Sequence, residues 1–396
     1  IEEAVLYGKS GNPVVRYKEQ KDLEQEKKVY ALDLQFDRTA IRSAVEAQGE
    51  QYNVEAIEAS MTKEDDGFQI VSGQIGYIVN EDASVNLIAE ALTSWDGQPA
   101  EIRLQVDVAE PKGTAEELSL VKDVLGTYTT SFSSSATERS GNVRNGTKLI
   151  NGTLLYPGDT FSAYETVSPF TEENGYYLAG SYLNGMVVES LGGGICQVSS
   201  TLYNAVIRAE LQVDERYNHS MIVGYVQLSA DAAISGTYKD FKFTNSSEYP
   251  IYIEGYTTDD KKITFTIYGV ETRPANRTIE FESVELSKTE PEGEKVIEDS
   301  AQPAGYISVQ SAHIGYVGEL WKVVKIDGTE TERTQLNKST YTASPKTATV
   351  GTAASDPSIT TMLQAAIATG SIDYCKSIIS QLNAAAADAV AAGAAQ

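Results

Sequence analysis

Between Gly192 and Tyr203 the chain runs Gly-Gly-Gly-Ile-Cys-Gln-Val-Ser-Ser-Thr-Leu-Tyr, so a cysteine stands where a glycine-rich loop becomes a helix. From Gln197 to Leu211 the residues Val198, Leu202, Ala205, Val206 and Ala209 recur at helical spacing, which predicts an amphipathic helix with Cys196 at its N-terminus. Unpaired N–H groups and the positive dipole end favour a thiolate there and lower its pKa. The same N–H groups can hold an oxyanion, and glycines let a substrate backbone approach closely. Gly193, Gly194, Ile195 and Gln197 are therefore the oxyanion-loop candidates, and the expected chemistry is acyl transfer through a thioester.

The chain has only two histidines, His219 and His313. His219 lies 23 residues beyond Cys196, just before Met221–Val226, which reads as a buried strand. A nucleophilic cysteine at a helix start and a histidine at the edge of the next strand suit a thiol–imidazole pair, because helix-on-sheet packing brings the two together. The orienting third group is Asp231 or Asp240, the carboxylates that follow, with Asn218 and Ser220 as weaker alternatives; Asp231 is placed in the candidate set.

Three plainer readings compete. Cys196 as a small buried hydrophobe leaves the glycines as a mere turn. A Cys196–Cys375 disulfide is open to an exported protein but adds little to a chain of this length. The two histidines and two cysteines show none of the usual zinc-ligand spacing, so neither metal nor cofactor is expected.

The segment from about Leu118 to Gly269 resembles a VanW domain. The likeness is carried by Ile150-Asn-Gly-Thr-Leu-Leu-Tyr-Pro-Gly-Asp-Thr-Phe-Ser162, by Glu173-Asn-Gly-Tyr176, by the Gly192–Ala205 run, by Glu215, Arg216 and His219, and by Asp231-Ala232 and Asp240-Phe-Lys-Phe243. About Tyr30 to Val108 is similar to the peptidoglycan-binding module that precedes YkuD-type L,D-transpeptidase domains, through Ala31-Leu-Asp-Leu-Gln-Phe-Asp-Arg38, Gly76-Tyr-Ile-Val-Asn80 and a helix to Trp95. About Val284 to Thr352 resembles a glycine-five domain, best seen in Ser339–Pro345 and Val350-Gly351-Thr352, which implies attachment or spacing.

Together the resemblances imply a thiol-dependent peptidoglycan L,D-transpeptidase linking third stem residues, with peptidoglycan stem peptides and glycan as partners. A cysteine peptidase or amidase of wall peptides and a non-catalytic wall-binding scaffold are the alternatives. They further imply an extracytoplasmic place at the wall or membrane-anchored surface of a Gram-positive bacterium. Since the sequence opens at Ile1 and holds no run of 18 apolar residues, it reads either as a mature exported form or as one whose signal or membrane anchor lies outside it, and the anchor is the expectation. A net charge of −25, from 31 basic against 56 acidic residues, argues against nucleic acid, whose phosphates need basic patches.

The expected fold is α+β and multidomain. Residues 1–29 read as a tail or part of a preceding module, 30–112 as a mixed α/β binding module, and 113–275 as an α+β domain whose cysteine helix packs on an antiparallel sheet. Residues 276–352 read as all-β and 353–396 as an Ala-rich tail of short helices or no order. Locally, Asp37 and Asp82 are expected helix caps, Asp65-Asp66-Gly67 a hairpin turn, Ile102 to Val108 a strand, and Ala115 to about Tyr128 a helix. Ile251–Tyr256 and Ile263–Tyr268 form a predicted hairpin burying Ile263, Phe265 and Ile267, and Gly305, Gly315, Gly318 and Gly328 mark turns.

Substrate-binding candidates complete the set. Arg139 and Asn142, in an expected loop, and Arg216 suit a stem-peptide carboxylate, which an arginine grips with two N–H groups. Ser199, Ser200, Thr201 and Tyr203 come from the cysteine run itself. Tyr156, Tyr164, Tyr176, Tyr177 and Tyr182 are candidates to line a sugar or peptide groove.

Overall fold

The computed structural model describes residues 1–30, 35–65, 67–183, 186–236 and 238–393. The chain divides into two compact units, Ile1–Glu58 with Gly73–Lys112, and Ala59–Ser72 with Gly113–Gln396. The fold class is α+β.

In the first unit the opening residues are helical, over Glu2–Leu6 and Pro13–Gln25, where a tail or partial module was expected. The Asn12 side chain accepts from Val14 N and Val15 N, and Pro13 at the first helical position needs no N–H partner, so this polar stretch has a defined start. Asp37 caps Arg38–Tyr52 as expected, whereas Asn80 and not Asp82 caps Glu81–Thr93, which stops short of Trp95. Gly76–Val79 pairs antiparallel with Val106–Ala109. The expected strand is thus shorter: Ile102 and Leu104 fall outside it, and Val106 and Val108 are exposed, so their alternation is not a buried face. Ala31–Leu34, part of the module resemblance, lie outside the described residues.

The second unit is built around the helix Ile195–Arg208, hereafter the thiol helix. It lies on a four-stranded antiparallel sheet ordered Asp123–Ser131, Lys262–Gly269, Ile251–Thr257 and Thr153–Leu155. Val198, Leu202 and Val206 pack with Ile263, Phe265 and Ile267, all fully buried, as the helical and alternating periods require. A Cβ on Gly126 would meet Ala205 O at 2.4 Å, so only glycine lets strand and helix backbones come this close. The helix expected from Ala115 to Tyr128 ends at Ser119, and the chain then enters the strand Asp123–Ser131. Thr127, Tyr128, Thr129 and Thr130 explain this, since β-branched and aromatic residues pair readily with Lys262–Gly269. Ser60–Glu64 and Gly67–Val71 form the expected hairpin, with Asp66 outside the described residues.

Met221–Val226 is not a strand. Met221 and Val223 are buried, but the chain from 216 to 234 stays irregular and rests on the thiol helix, so apolar content here reports burial without sheet pairing. Next, Leu178–Leu183 and Met186–Leu191 form a two-stranded hairpin, hereafter the wall hairpin.

The C-terminal strands Arg277–Thr289, Gly315–Ile326 and Thr329–Tyr341 make an antiparallel sheet. Glu294–Pro303, Lys346–Ala353 and Ile307–Gln310 make a mixed one. Gly305 and Gly328 sit at positive φ, whereas Gly315 and Gly318 lie inside a strand rather than at turns. The tail is ordered as Pro357–Ala368 and Ile372–Gly393, which bury Leu363, Ala366, Cys375 and Ile379 with Val350.

Glu210, just past the thiol helix, fastens this sheet to the core. Its carboxylate takes Arg277 at 2.5 and 2.8 Å, Lys322 at 3.0 Å and Arg273 at 3.4 Å. Burial opposes its charge, but Arg277 and Lys322 outweigh that and hold the carboxyl at about 2. Glu210→Gln should therefore cost on the order of 1–3 kcal/mol at neutral pH in denaturant unfolding. The folded pKa is depressed below the ordinary 4.5, so the difference from wild type is full above about pH 4.5 and shrinks as pH falls toward 2.

Candidate functional site

The loop before the thiol helix is shaped by its glycines. Gly192 and Gly194 have φ of 82° and 107°, and a Cβ on Gly193 would meet Ala179 O at 2.4 Å. Asn142 clips this loop to the wall hairpin: it donates to Tyr177 O and Gly193 O and accepts from Tyr177 N. The helix thus begins at a fixed place, with Cys196 in its first turn.

A polar stripe on that helix then arranges the following chain. Asn204 donates to Ala230 O at 2.7 Å, Ser199 to Ala232 O at 2.6 Å, and Cys196 Sγ to Ile234 O at 3.3 Å. Ser200 also donates to Ala232 O, at 3.2 Å, so Asn204, Ser200 and Cys196, one turn apart along the helix, meet alternate carbonyls of an extended segment, since the two periods match at this spacing. The intervening Asp231 is fully buried, with Arg216 and His219 as its partners.

Asp231 Oδ2 accepts from His219 N at 2.7 Å and pairs with His219 Nδ1 at 2.6 Å. Its Oδ1 takes Arg216 Nη2 at 2.8 Å and Tyr341 O–H at 2.5 Å. Burial opposes the charge of this carboxyl, yet the hydrogen bond with His219, its charge and that of Arg216 hold it at about 2. Burial likewise disfavours imidazolium, but hydrogen bonds to Asp231 and Cys196 raise His219 to about 9. Burial pushes the Cys196 thiol up, and the His219 hydrogen bond and charge more than reverse this. The arrangement is a thiol–imidazole pair beside a carboxylate, with the thiol shifted toward ionisation; as thiolate it is able to attack a carbonyl, and the imidazolium to return a proton to a leaving amine.

The pair opens into a cleft of about 740 Å³ between the wall hairpin and the segment 220–239. Arg139, Tyr182, Tyr225 and Lys239 line it beside apolar Val187, Val188 and Leu191. A second groove of about 500 Å³, edged by Glu138 and Glu189, shares Arg139, Gly180, Gln197 and Tyr225 with the first.

Of the candidates, Cys196, His219 and Asp231 come together. Asp240 does not join them: it accepts from Ser162, Tyr164 N and Phe241 N. Ile195 N and Gln197 N already donate to Gly192 O and Gly194 O, and Gly193 N to Ser190 O. The Gln197 side chain holds Arg139 Nη2 at 3.0 Å. Arg139 faces the cleft, from the helix Thr137–Ile150 rather than a loop.

The other substrate-binding candidates are corrected. Asn142, Ser199, Ser200, Thr201 and Tyr203 are buried and spend their polar atoms within the fold. The Arg216 side chain is only 7% exposed and serves Asp231 through both Nη2 and Nε, the latter to the Asp231 carbonyl. Among the groove tyrosines only Tyr182 lines the cleft; Tyr176 is core, and Tyr156, Tyr164 and Tyr177 lie elsewhere. Tyr225 and Tyr341 were missed. Tyr225 O–H lies 3.4 Å from His219 Nε2, but its sequence neighbours carry no pattern that marks it. Cys375 is a free, buried thiol, and among the described residues no cluster of three or more His, Cys, Asp or Glu side chains could hold a metal ion.

Residues 138–268 match the family model described as VanW like protein, and residues 1–102 that described as "Putative peptidoglycan binding domain". The chain is 38% identical over 186 residues to YoaR of Bacillus subtilis (strain 168), covering 46% of this chain and 60% of that protein. It is 28% identical over 136 residues to the vancomycin B-type resistance protein VanW of Enterococcus faecalis (strain ATCC 700802 / V583), covering 32% of this chain and 48% of that protein. The chain thus spans 60% and 48% of the length of these relatives. Two solved glycine-five structures align with a part of the chain. The IgA1 protease G5 domain is 21% identical with a TM-score of 0.14, over 21% of this chain and 98% of its own. HP0197-G5 is 19% identical with a TM-score of 0.11, over 19% and 100%. Scores this low carry no argument. Residues 138–268 are thus VanW-like and residues 1–102 similar to that binding-domain model, which supports a cell-wall associated, extracytoplasmic setting. No helix among the described residues is long and apolar enough to cross a membrane.

In the native protein, iodoacetamide should alkylate Cys196 and spare Cys375, with a midpoint below the ordinary thiol value. His219→Gln should raise that midpoint by about one unit and slow the reaction at pH 7 by about tenfold. Peptide mapping across a pH series reads both.

Proposed function

We propose that this protein is a thiol-dependent peptidoglycan L,D-transpeptidase. The observation that carries the reading is Cys196 at a helix start, sharing one cleft with a His219 whose ring Asp231 holds, where that cleft continues into a second groove. Two peptide-sized grooves meeting beside one thiol suit a reaction with a donor and an acceptor, and so favour transfer over hydrolysis.

The Cys196 thiolate attacks the carbonyl of the third residue of a donor stem. The Cys196 N–H at the helix start faces the developing oxyanion, since its neighbours Ile195 N and Gln197 N are engaged. The C–N bond to the terminal D-alanine breaks as the His219 imidazolium gives its proton to the leaving amine, which leaves a thioester and a neutral imidazole. An acceptor amine from a neighbouring stem's third residue attacks the thioester, passes its proton to His219 and forms the cross-linking amide. The thiolate–imidazolium pair is then restored. Arg139, held by Gln197 and Ser135, is placed to grip a stem carboxylate. The N-terminal domain supplies attachment to the wall of a Gram-positive bacterium.

Intact-mass analysis after incubation with a tetrapeptide stem should give an adduct of the tripeptide acyl group on Cys196, with loss of D-alanine, and none on a folded Cys196→Ala variant. Absence of any adduct with stem peptides or a carbapenem overturns the reading. The rate of acylation should rise with pH as Cys196 ionises, below its ordinary value, and fall as pH passes about 9, where His219 loses the proton needed by the leaving amine.

A further inference from the structure

We propose that the C-terminal β-sheet is part of the thiol site, and that Tyr341 and Ser339 are positioning residues that hold the Asp231 carboxylate against His219. This rests on the reading of Cys196 and His219 as a catalytic pair, and replaces a spacer role for the sheet with one inside the site.

The segment that delivers Asp231 has no helix or strand of its own, so its shape must come from its neighbours. Ser229 sits at φ 68°, a left-handed conformation that a residue with a side chain adopts only when its surroundings impose it. Here the surroundings are the sheet. Ser283 donates to Leu228 O at 2.8 Å, Ser229 N donates to Tyr341 Oη at 3.0 Å, and Ser229 and Ser339 hydroxyls meet at 2.7 Å. Asn337 Nδ2 donates to Ser229 O at 3.0 Å, and Leu228 fills the space where a Cβ on Gly318 would stand.

Two side chains of the sheet then act on the carboxylate. Tyr341 O–H reaches Oδ1 at 2.5 Å, and Ser339 Oγ accepts Arg216 Nη1 at 2.9 Å while Nη2 of the same guanidinium takes Oδ1 at 2.8 Å. With Oδ1 doubly engaged, the carboxylate plane is fixed and Oδ2 is left for the ring and N–H of His219. The sheet itself cannot drift, because Glu210 ties Arg277 and Lys322 to the end of the thiol helix. The wall hairpin is gripped from the neighbouring mixed sheet, where Gln310 exchanges two hydrogen bonds with Val187.

The test reads His219 directly and needs no substrate. With two histidines in the chain, imidazole NMR follows the His219 titration in the full protein. The groups that face this ring are Asp231, Cys196, Tyr225 and Tyr182, with Lys239 on the same cleft, and none of them is altered. Tyr341→Phe keeps the ring and removes the donor; the His219 midpoint should fall by about one unit, and Cys196 alkylation at pH 7 should slow about fivefold. Ser339→Ala should shift the midpoint the same way by a smaller amount, and serves if Tyr341→Phe does not fold. Arg333→Ala, which breaks exposed ion pairs to Glu282 and Glu330 on the same sheet, should leave the titration unmoved. An unchanged His219 titration in both folded site variants, or an equal shift in Arg333→Ala, overturns the proposal. Because no donor peptide is involved, failure of the transpeptidase reading would leave this result standing, and the converse also holds.

Discussion

The carboxylate of Asp231 is the constraint on which the site depends. It is fully buried, and a buried charge without partners is too costly to persist. Arg216, Tyr341 and the backbone N–H and ring Nδ1 of His219 satisfy it; Arg216 and His219 lie 15 and 12 residues away in the same irregular chain, and Tyr341 lies 110 residues away. The irregular chain around His219 and the C-terminal sheet must therefore both be in place for the charge to be tolerated. That requirement couples folding of the unit to assembly of the thiol–imidazole pair, so the pair is preorganised before any substrate arrives.

A second constraint is the match between helix and extended backbone. Cys196, Ser200 and Asn204 stand on one helix face and meet the carbonyls of Ile234, Ala232 and Ala230. The hydroxyl and amide groups thus stabilise a segment that has no strand partner, and they do so next to the thiol. Residues that looked like substrate contacts are instead the scaffold, while the cleft is walled by Arg139, Tyr182 and Tyr225.

Much of the site was legible because it is local. The glycine loop, the 3.6-residue period and one rare histidine singled out Cys196 and His219 as candidates, and Asp231 was within reach as one of two carboxylates. The hairpin Ile251–Tyr268 declared itself by alternation. Legibility failed where apolar content had two solutions: Met221–Val226 buries side chains without pairing, and the expected helix from Ala115 gave way to a strand whose partner lies more than 130 residues on. Tyr341 was out of reach for a like reason. It touches Asp231 across 110 residues of chain, and a tyrosine at a strand end carries no local mark of that contact.

The central claim, acyl transfer through Cys196, is tested most directly by product analysis in ¹⁸O-labelled water, with disaccharide tetrapeptides as both donor and acceptor. The account gives cross-linked dimers that have lost one D-alanine and carry no label, formed by the wild-type protein and not when Cys196 is alanine. Labelled tripeptide as the sole product would mean that water takes the acyl group, and no turnover of any kind would mean that the thiol site does not act on stem peptides.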